Sequence, residues 1–310
     1  NEWQQALDQA IVANSEQFDH YTRNCTGFDQ SIAAILIPHN AEQVRHSVEI
    51  ANRHQIPLYP YSSGNNWGYG SKNPPQNDCV LVDLSRMNRI LDFDAETGLL
   101  TIEPGVTQRQ LNTFLKQHHH PYLIPVTGAG PDCSLVGNAL ERGYGITPYA
   151  DHFAAVMGLE AVLPNGELYR SMLGGLGGEA VDKAFKWGMG PYVDGLFSQG
   201  NFGIVTQMTI ALAPKPQRVE AFFFSVKKAD DLELAVKKIR QVLREVGTVT
   251  GSINLMNKHR VLSMSEPYPK DQLGPDGLIP DKVLRQMMKR NQVMEWTSVG
   301  AIYGNKQVVA

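Results

Sequence analysis

The sequence predicts an α+β fold in two parts, on three observations. A strand–helix–strand succession spans residues 33–61. Two antiparallel hairpin patterns follow it, each around a short polar turn. After "PKPQ" (214–217) the pattern changes to a separate set of strands and amphipathic helices. The 310 residues suffice for one large domain or two ordinary ones, and a boundary near 214 gives 1–213 and 214–310.

Each element has a local reason. Residues 2–14 place Trp3, Leu7, Ala10 and Ile11 on one helical face. "AAILIP" (33–38) reads as a buried strand stopped by Pro38, and Asn40 caps a helix whose Val44, Val48 and Ala51 share a face. "PLYPY" (57–61) is the next strand, and the crossover makes the two strands parallel. "CVLVDL" (79–84) is another strand. "RILDFD" and "LLTIEPG" alternate around "AETG" as a hairpin, and Thr107 with Gln110 forms a capping box for "QRQLNTFLKQ". Ser134 caps "LVGNALERG". "FAAVMGLEAVL" and "GELYRSM" flank the turn "PNG" as a second hairpin, and "NFGIVTQMTIALAP" (201–214) closes the first part as a strand. In the second part "VEAFFFSV", "GTVTGSINLM" and "WTSVGAIYG" read as strands, with "DDLELAVKKIRQVLREV" and "DKVLRQMMKRNQ" as helices.

Composition narrows the classes. Apolar residues make up 42% and charged residues 19%, which predicts a packed core rather than disorder. A net charge of −3 gives no electrostatic basis for binding nucleic acid or an anionic membrane. No apolar run approaches the roughly 20 residues of a membrane span. Cys25, Cys79 and Cys133 lie far apart with no CxxC pair, and read as buried thiols rather than a zinc site or disulfide framework. "HHH" (118–120) puts consecutive residues at a helix end, where they share no face. It reads as favourable charge at a helix C-terminus, and no metal is assigned.

Two glycine-rich stretches carry the chemistry. "PYSSGNNWGYGS" (60–71) follows a strand but lacks the GK[ST] of a phosphate-binding loop, and the next element is a strand rather than a helix. What remains is a nest, in which amides freed by Gly64, Gly68 and Gly70 converge on an anion and Ser62, Ser63, Asn65 and Asn66 add neutral donors. Composition alone equally allows a tight surface loop, but Trp67 and Tyr69 argue against a plain solvent turn. "PVTGAGPDCSLVGNALERGYGITPYADH" (125–152) is the second stretch. Ser134 opens a helix, Gly128, Gly130 and Gly137 permit close approach to a flat ligand, and Glu141 and Arg142 follow on the same helix. Glu141 and Arg142 read equally as a solvated pair. Two such loops in one domain favour a large dinucleotide over a small phosphate. "GLGGEA" (175–180) fits GxGxxA, but its hairpin context points to a flexible surface loop.

At these residues the sequence resembles the vanillyl-alcohol oxidase / p-cresol methylhydroxylase family. The matching motifs are "PLYPYSSGNNWGYGS", "MNRIL" (87–91), "EPGVT" (103–107), "SLVGNALERGYGITPYADH", "LPNGEL" (163–168) and "GPYVDGLFSQGNFGIVT" (190–206), in the family's order. The resemblance implies a PCMH-type FAD-binding fold of two α+β subdomains followed by part of an α+β cap domain. It implies FAD, with the pyrophosphate on Ser62, Ser63, Gly64, Asn65 and Asn66. Ser134, Gly137, Asn138, Glu141 and Arg142 would lie along the flavin and ribityl side, and Gly203, Ile204 and Val205 at the adenine end. Tyr69 matches a family tyrosine that contacts the phenolic oxygen of the substrate, and the tryptophan of "NNWGYGS" leans toward the 4-alkylphenol dehydrogenases.

The implied activity is FAD-dependent oxidation or hydroxylation of a 4-alkylphenol at its benzylic carbon. Hydride transfer to the flavin gives a p-quinone methide, which water attacks. The implied partners are a small phenolic substrate, a c-type cytochrome as electron acceptor and, in the complete protein, further copies of the chain. Family members continue well past residue 310. The chain is therefore expected to be one piece of a longer protein, or a shortened relative that binds flavin without turnover. Asp132 lies near the position of an acid in the family's oxidases but is offset from it, and receives no catalytic role.

Overall fold

The structure is a computed structural model that describes residues 2–8, 11–12, 18, 21, 30–66 and 72–309. The chain divides into two compact units. The first comprises Asn1–Gly145 and Asp151–Lys215, the second Ile146–Ala150 and Pro216–Ala310.

The first unit opens with α1 (Glu2–Ala6), which buries Trp3. The Leu7 amide bonds to Trp3 O at 2.9 Å, and Asp8 then enters the left-handed region at φ 49°. The helix stops there, so Ile11 does not share its face as the periodicity predicted. Ile11 belongs instead to β1 (Ile11–Val12), antiparallel to β2 (Ile32–Leu36). Next, α2 (Ala41–His54) is capped by Asn40, whose side chain accepts the Gln43 amide. The crossover leads to β3 (Leu58–Tyr61), and β4 (Cys79–Asp83) lies between β2 and β3. Leu81 pairs with both Ile35 and Tyr59 in parallel register. The expected parallel relation of β2 and β3 therefore holds, with β4 inserted between them.

The second sheet follows. A hairpin joins β5 (Ile90–Asp94) to β6 (Leu99–Ile102), and its turn is closed by the Gly98 amide on Asp94 O at 2.8 Å. α3 (Gln108–Gln117) carries the predicted capping box from Thr107 and Gln110. At its end the His118 ring packs on Phe114 and His120, with centroids 4.8 and 5.8 Å away. Then come β7 (Tyr122–Leu123), α4 (Leu135–Leu140), and the hairpin of β8 (Val156–Val162) with β9 (Leu168–Arg170). The segment expected to be a loop around "GLGGEA" instead folds into two short helices, α5 (Met172–Gly175) and α6 (Glu179–Asp182). The Gly178 amide, at the start of α6, donates to Leu173 O of α5 at 2.7 Å, which ties one to the other. β10 (Ile204–Ala211) completes the antiparallel order β5-β6-β10-β8-β9, and β11 (Ala213–Pro214) pairs with β7.

α2 joins the two sheets. Its Ile50 and Ala51 pack with Leu36 and Val80 of the first sheet. Its Val44 and Val48 pack with Val82 and with Val162 and Ile204 of the second. This burial packs β3, through Leu58, and β4, through Val82, against β8 and β10, the strands that follow α4.

The second unit is a three-stranded antiparallel sheet of order β12-β14-β13. It contains β12 (Arg218–Val226), α7 (Leu232–Val246), β13 (Thr250–Asn257), α8 (Lys258–Ser265), α9 (Asp281–Arg290), β14 (Trp296–Gly304) and α10 (Lys306–Val309). Leu262 of α8 meets Leu284 and Met287 of α9 and Val293 in a buried cluster. Among the described residues no helix is long and apolar enough to cross a membrane.

Candidate cofactor site

The site is built outward from the end of β3. Tyr61 is buried, and its hydroxyl donates to Asp83 Oδ2 at 2.7 Å. Asp83 Oδ1 in turn accepts the Ser85 amide at 2.9 Å. Burial, aided by the Asp83 carboxylate, pushes the Tyr61 phenol far above its ordinary pKa, so it stays a donor. The loop is thus anchored to β4 at its base. Gly64 then takes φ 67°, and a Cβ there would lie 2.5 Å from Lys72 Cε. The turn favours glycine, and a larger residue would also make the Lys72 side chain shift. The amides of Ser63, Gly64 and Asn65 make no hydrogen bond with the described residues.

The start of α4 meets this loop. Ser134 Oγ accepts the Gly137 amide at 2.9 Å and donates to Pro104 O at 2.6 Å, which seats the helix. The Ser134 amide donates to Ser63 Oγ at 3.1 Å. Asn65 Nδ2 donates to Asp132 O at 3.1 Å, and Cys133 Sγ donates to Asn65 O at 3.1 Å. A Cβ on Gly137 would stand 2.7 Å from Ser62 Oγ. Three hydrogen bonds and one close approach therefore clasp residues 62–65 to residues 132–137. Cys79 and Cys133 are free, buried thiols, and burial raises the pKa of both; Cys25 lies outside the described residues.

Beyond the clasp, Asn138 pairs through Nδ2 with His152 Nδ1. His152 is 3% exposed, and burial holds its pKa below the usual histidine value. The ring is therefore a neutral prop for Asn138 at neutral pH. α4 ends sooner than the sequence predicts. Arg142 takes φ 51°, its amide reaches Ala139 O at 2.9 Å, and the Gly143 amide reaches Asn138 O at 2.7 Å. This Schellman closure places Glu141 and Arg142 in the terminating turn rather than on a continuing helix. There Arg142 Nε donates to Ser198 Oγ at 3.1 Å, and Glu141 O accepts from Gln199 Nε2 at 3.3 Å.

The remaining sequence-derived candidates fall elsewhere. Gly203 precedes β10, and a Cβ there would lie 2.7 Å from Val162 O. The Ile204 and Val205 side chains are buried in two core clusters, so only backbone at this point is offered to a ligand. Tyr69 lies outside the described residues, and Asn66 is exposed. Asp132 forms a two-pronged ion pair with Arg109 at 2.7 and 3.1 Å on the surface. The Arg109 guanidinium holds its carboxyl below the ordinary range, so it remains a carboxylate committed to Arg109. Sequence reasoning passed over Lys72 and His152. The signals were there: Lys72 is the first charge after an uncharged loop, and His152 ends a quoted motif.

The residues present suit an extended dinucleotide. Amides at a left-handed glycine, without a partner among the described residues, suit a pyrophosphate, and the bare Cα of Gly137 lets α4 pack closely on Ser62 of the loop. Comparison with known proteins agrees. Residues 32–171 match the FAD binding domain family. The chain is 40% identical over 276 residues to a 1'-carboxy-chondrochloren decarboxylase of Chondromyces crocatus, covering 89% of this chain and 51% of that protein. It is 32% identical over 305 residues to the flavoprotein subunit of 4-cresol dehydrogenase (hydroxylating) of Pseudomonas putida, covering 97% and 58%. A solved p-cresol methylhydroxylase with substrate bound superposes with a TM-score of 0.90 at 31% identity, over 99% of this chain and 60% of that one. The chain thus spans a little over half the length of these relatives. Residues 32–171 form an FAD-binding domain, the cofactor is FAD, and the chain shares the fold of the p-cresol methylhydroxylase-type flavoproteins. Within that class it is a homologue of the 4-cresol dehydrogenase flavoprotein subunit.

Proposed function

We propose that the protein is an FAD-dependent oxidoreductase that oxidises 4-alkylphenols at the benzylic carbon. The observation that carries this reading is the clasp of Ser63 and Asn65 on residues 132–134, in a chain homologous to a cresol dehydrogenase subunit. Bound FAD supplies an acceptor for the benzylic hydride. In this reading Ser62, Ser63, Gly64, Asn65 and Asn66 hold the pyrophosphate. Ser134, Gly137, Asn138, Glu141 and Arg142 line the flavin and ribityl side, and Gly203, Ile204 and Val205 meet the adenine end through backbone. Tyr69 donates to the phenolic oxygen and favours the phenolate, which raises electron density at the para carbon. Residues 1–213 are the FAD-binding part and 214–310 part of a cap over the substrate. Electrons leave to a c-type cytochrome, and the complete protein self-associates.

A second reading is favoured by the 40% identity to a decarboxylase. A p-quinone methide can take water at the benzylic carbon, or lose CO2 when a carboxylate sits on the adjacent carbon. The two substrates separate these outcomes. Product analysis by mass spectrometry with 4-ethylphenol is expected to show 1-(4-hydroxyphenyl)ethanol. With 3-(4-hydroxyphenyl)propanoate the decarboxylase reading expects 4-vinylphenol and CO2. If neither phenol is consumed and neither bleaches the bound flavin anaerobically, the chain binds flavin without turnover.

A further inference from the structure

We propose that Lys72 supplies the cation that complements the FAD pyrophosphate on the Ser62–Asn66 loop. The inference rests on the reading of that loop as the pyrophosphate site. Every donor within the loop itself is neutral, being an amide, a serine hydroxyl or a carboxamide. A pyrophosphate dianion is held more tightly when a full positive charge stands nearby. Lys72 provides one in contact with the loop. Its Cγ and Cε would lie 2.6 and 2.5 Å from a Cβ on Gly64, so the side chain runs directly along the glycine whose left-handed turn opens the nest.

The ammonium is held without being neutralised. Nζ stands 4.8 Å from the centroid of the Tyr21 ring and 5.3 Å from that of Tyr61. These two rings, with centroids 6.5 Å apart, fix its position by cation–π attraction. Among the described residues it forms no ion pair. The nearby Asp83 carboxylate is engaged by the Tyr61 hydroxyl and the Ser85 amide. Lys72 is partly buried, and burial lowers its affinity for the proton while Asp83 opposes that shift. An arriving anion would relieve a desolvated charge. The other cation beside the clasp, Arg109, is already paired with Asp132. Lys72 thus replaces, from the far end of the same loop, the lysine that a GK[ST] motif would place at a helix start.

The test is equilibrium titration of the apo form of the whole protein with FAD, and separately with ADP, for wild type, Lys72→Met and Lys72→Arg, alongside the melting temperature of each apo form. Lys72→Met is expected to weaken both FAD and ADP 10- to 100-fold, equivalent to about 1.4–2.7 kcal/mol. It should also flatten the salt dependence of Kd, leave apo melting unchanged, and be largely rescued by Lys72→Arg. Unchanged FAD and ADP affinity in Lys72→Met overturns the inference. So does a lowered apo melting temperature that Lys72→Arg fails to restore, which marks Lys72 as a structural prop. If wild type itself binds neither FAD nor ADP, the reading of the loop fails, and the inference with it. The wild-type arm thus reports on the loop and the variant arms on Lys72.

Discussion

Gly137 faces Ser62 with no room for a methyl group between them, since a Cβ would come within 2.7 Å of Ser62 Oγ. A serine hydroxyl can rotate away, so the fold should tolerate Gly137→Ala while the clasp's inner surface changes. We expect Gly137→Ala to weaken FAD binding about tenfold in a fluorescence titration. Apo melting should change little, because alanine is also the better helix former. Asp132→Asn is expected to leave FAD affinity unaltered, because its carboxylate points to Arg109 on the surface. Tyr69→Phe is expected to weaken phenol binding without loss of FAD; loss of FAD would assign Tyr69 a structural part. Residue identity at these positions was readable from sequence because glycine and serine at a strand end have few uses. The partner of each was not. Nothing in "PYSSGNN" names Ser134 or Cys133 as its contact, and nothing near Lys72 announces two tyrosine rings around its ammonium.

At the scale of elements, what was legible was local. The Thr107–Gln110 capping box, the Ser134 cap and both hairpins depend on residues within a few positions of each other, and each stands as its pattern predicts. The misses are places where longer-range or end effects decide. Asp8 stops the first helix before Ile11, the Schellman turn ends α4 at Leu140, and the backbone bond from Gly178 to Leu173 closes the "GLGGEA" region into two short helices. The order β2-β4-β3 depends on which buried faces meet, which no single stretch encodes. Two substitutions test the elements that seat α4. Ser134→Ala removes the cap and the bond to Pro104 O, and should destabilise the protein by about 1–2 kcal/mol in denaturant unfolding. Gly105→Ala would press a methyl group to within 2.5 Å of Ser85 O and 2.8 Å of Met87 O, both backbone atoms that cannot swing aside. It should cost about 2 kcal/mol or more in the same assay.

At the scale of the molecule, the FAD-binding unit has its own core, with α2 packed on both sheets, while the second unit carries a separate three-stranded sheet. A ligand bound only by the folded first unit must stabilise it by mass action. FAD at roughly 100 times its Kd should add about 2.7 kcal/mol. The most direct measurement of the central claim is the visible absorption spectrum of the purified protein, recorded as isolated and again after incubation with FAD and removal of the excess. The predicted result is the pair of visible flavin bands, in equimolar ratio to the chain and persisting through the removal step. A protein that stays colourless after incubation with FAD contradicts the account.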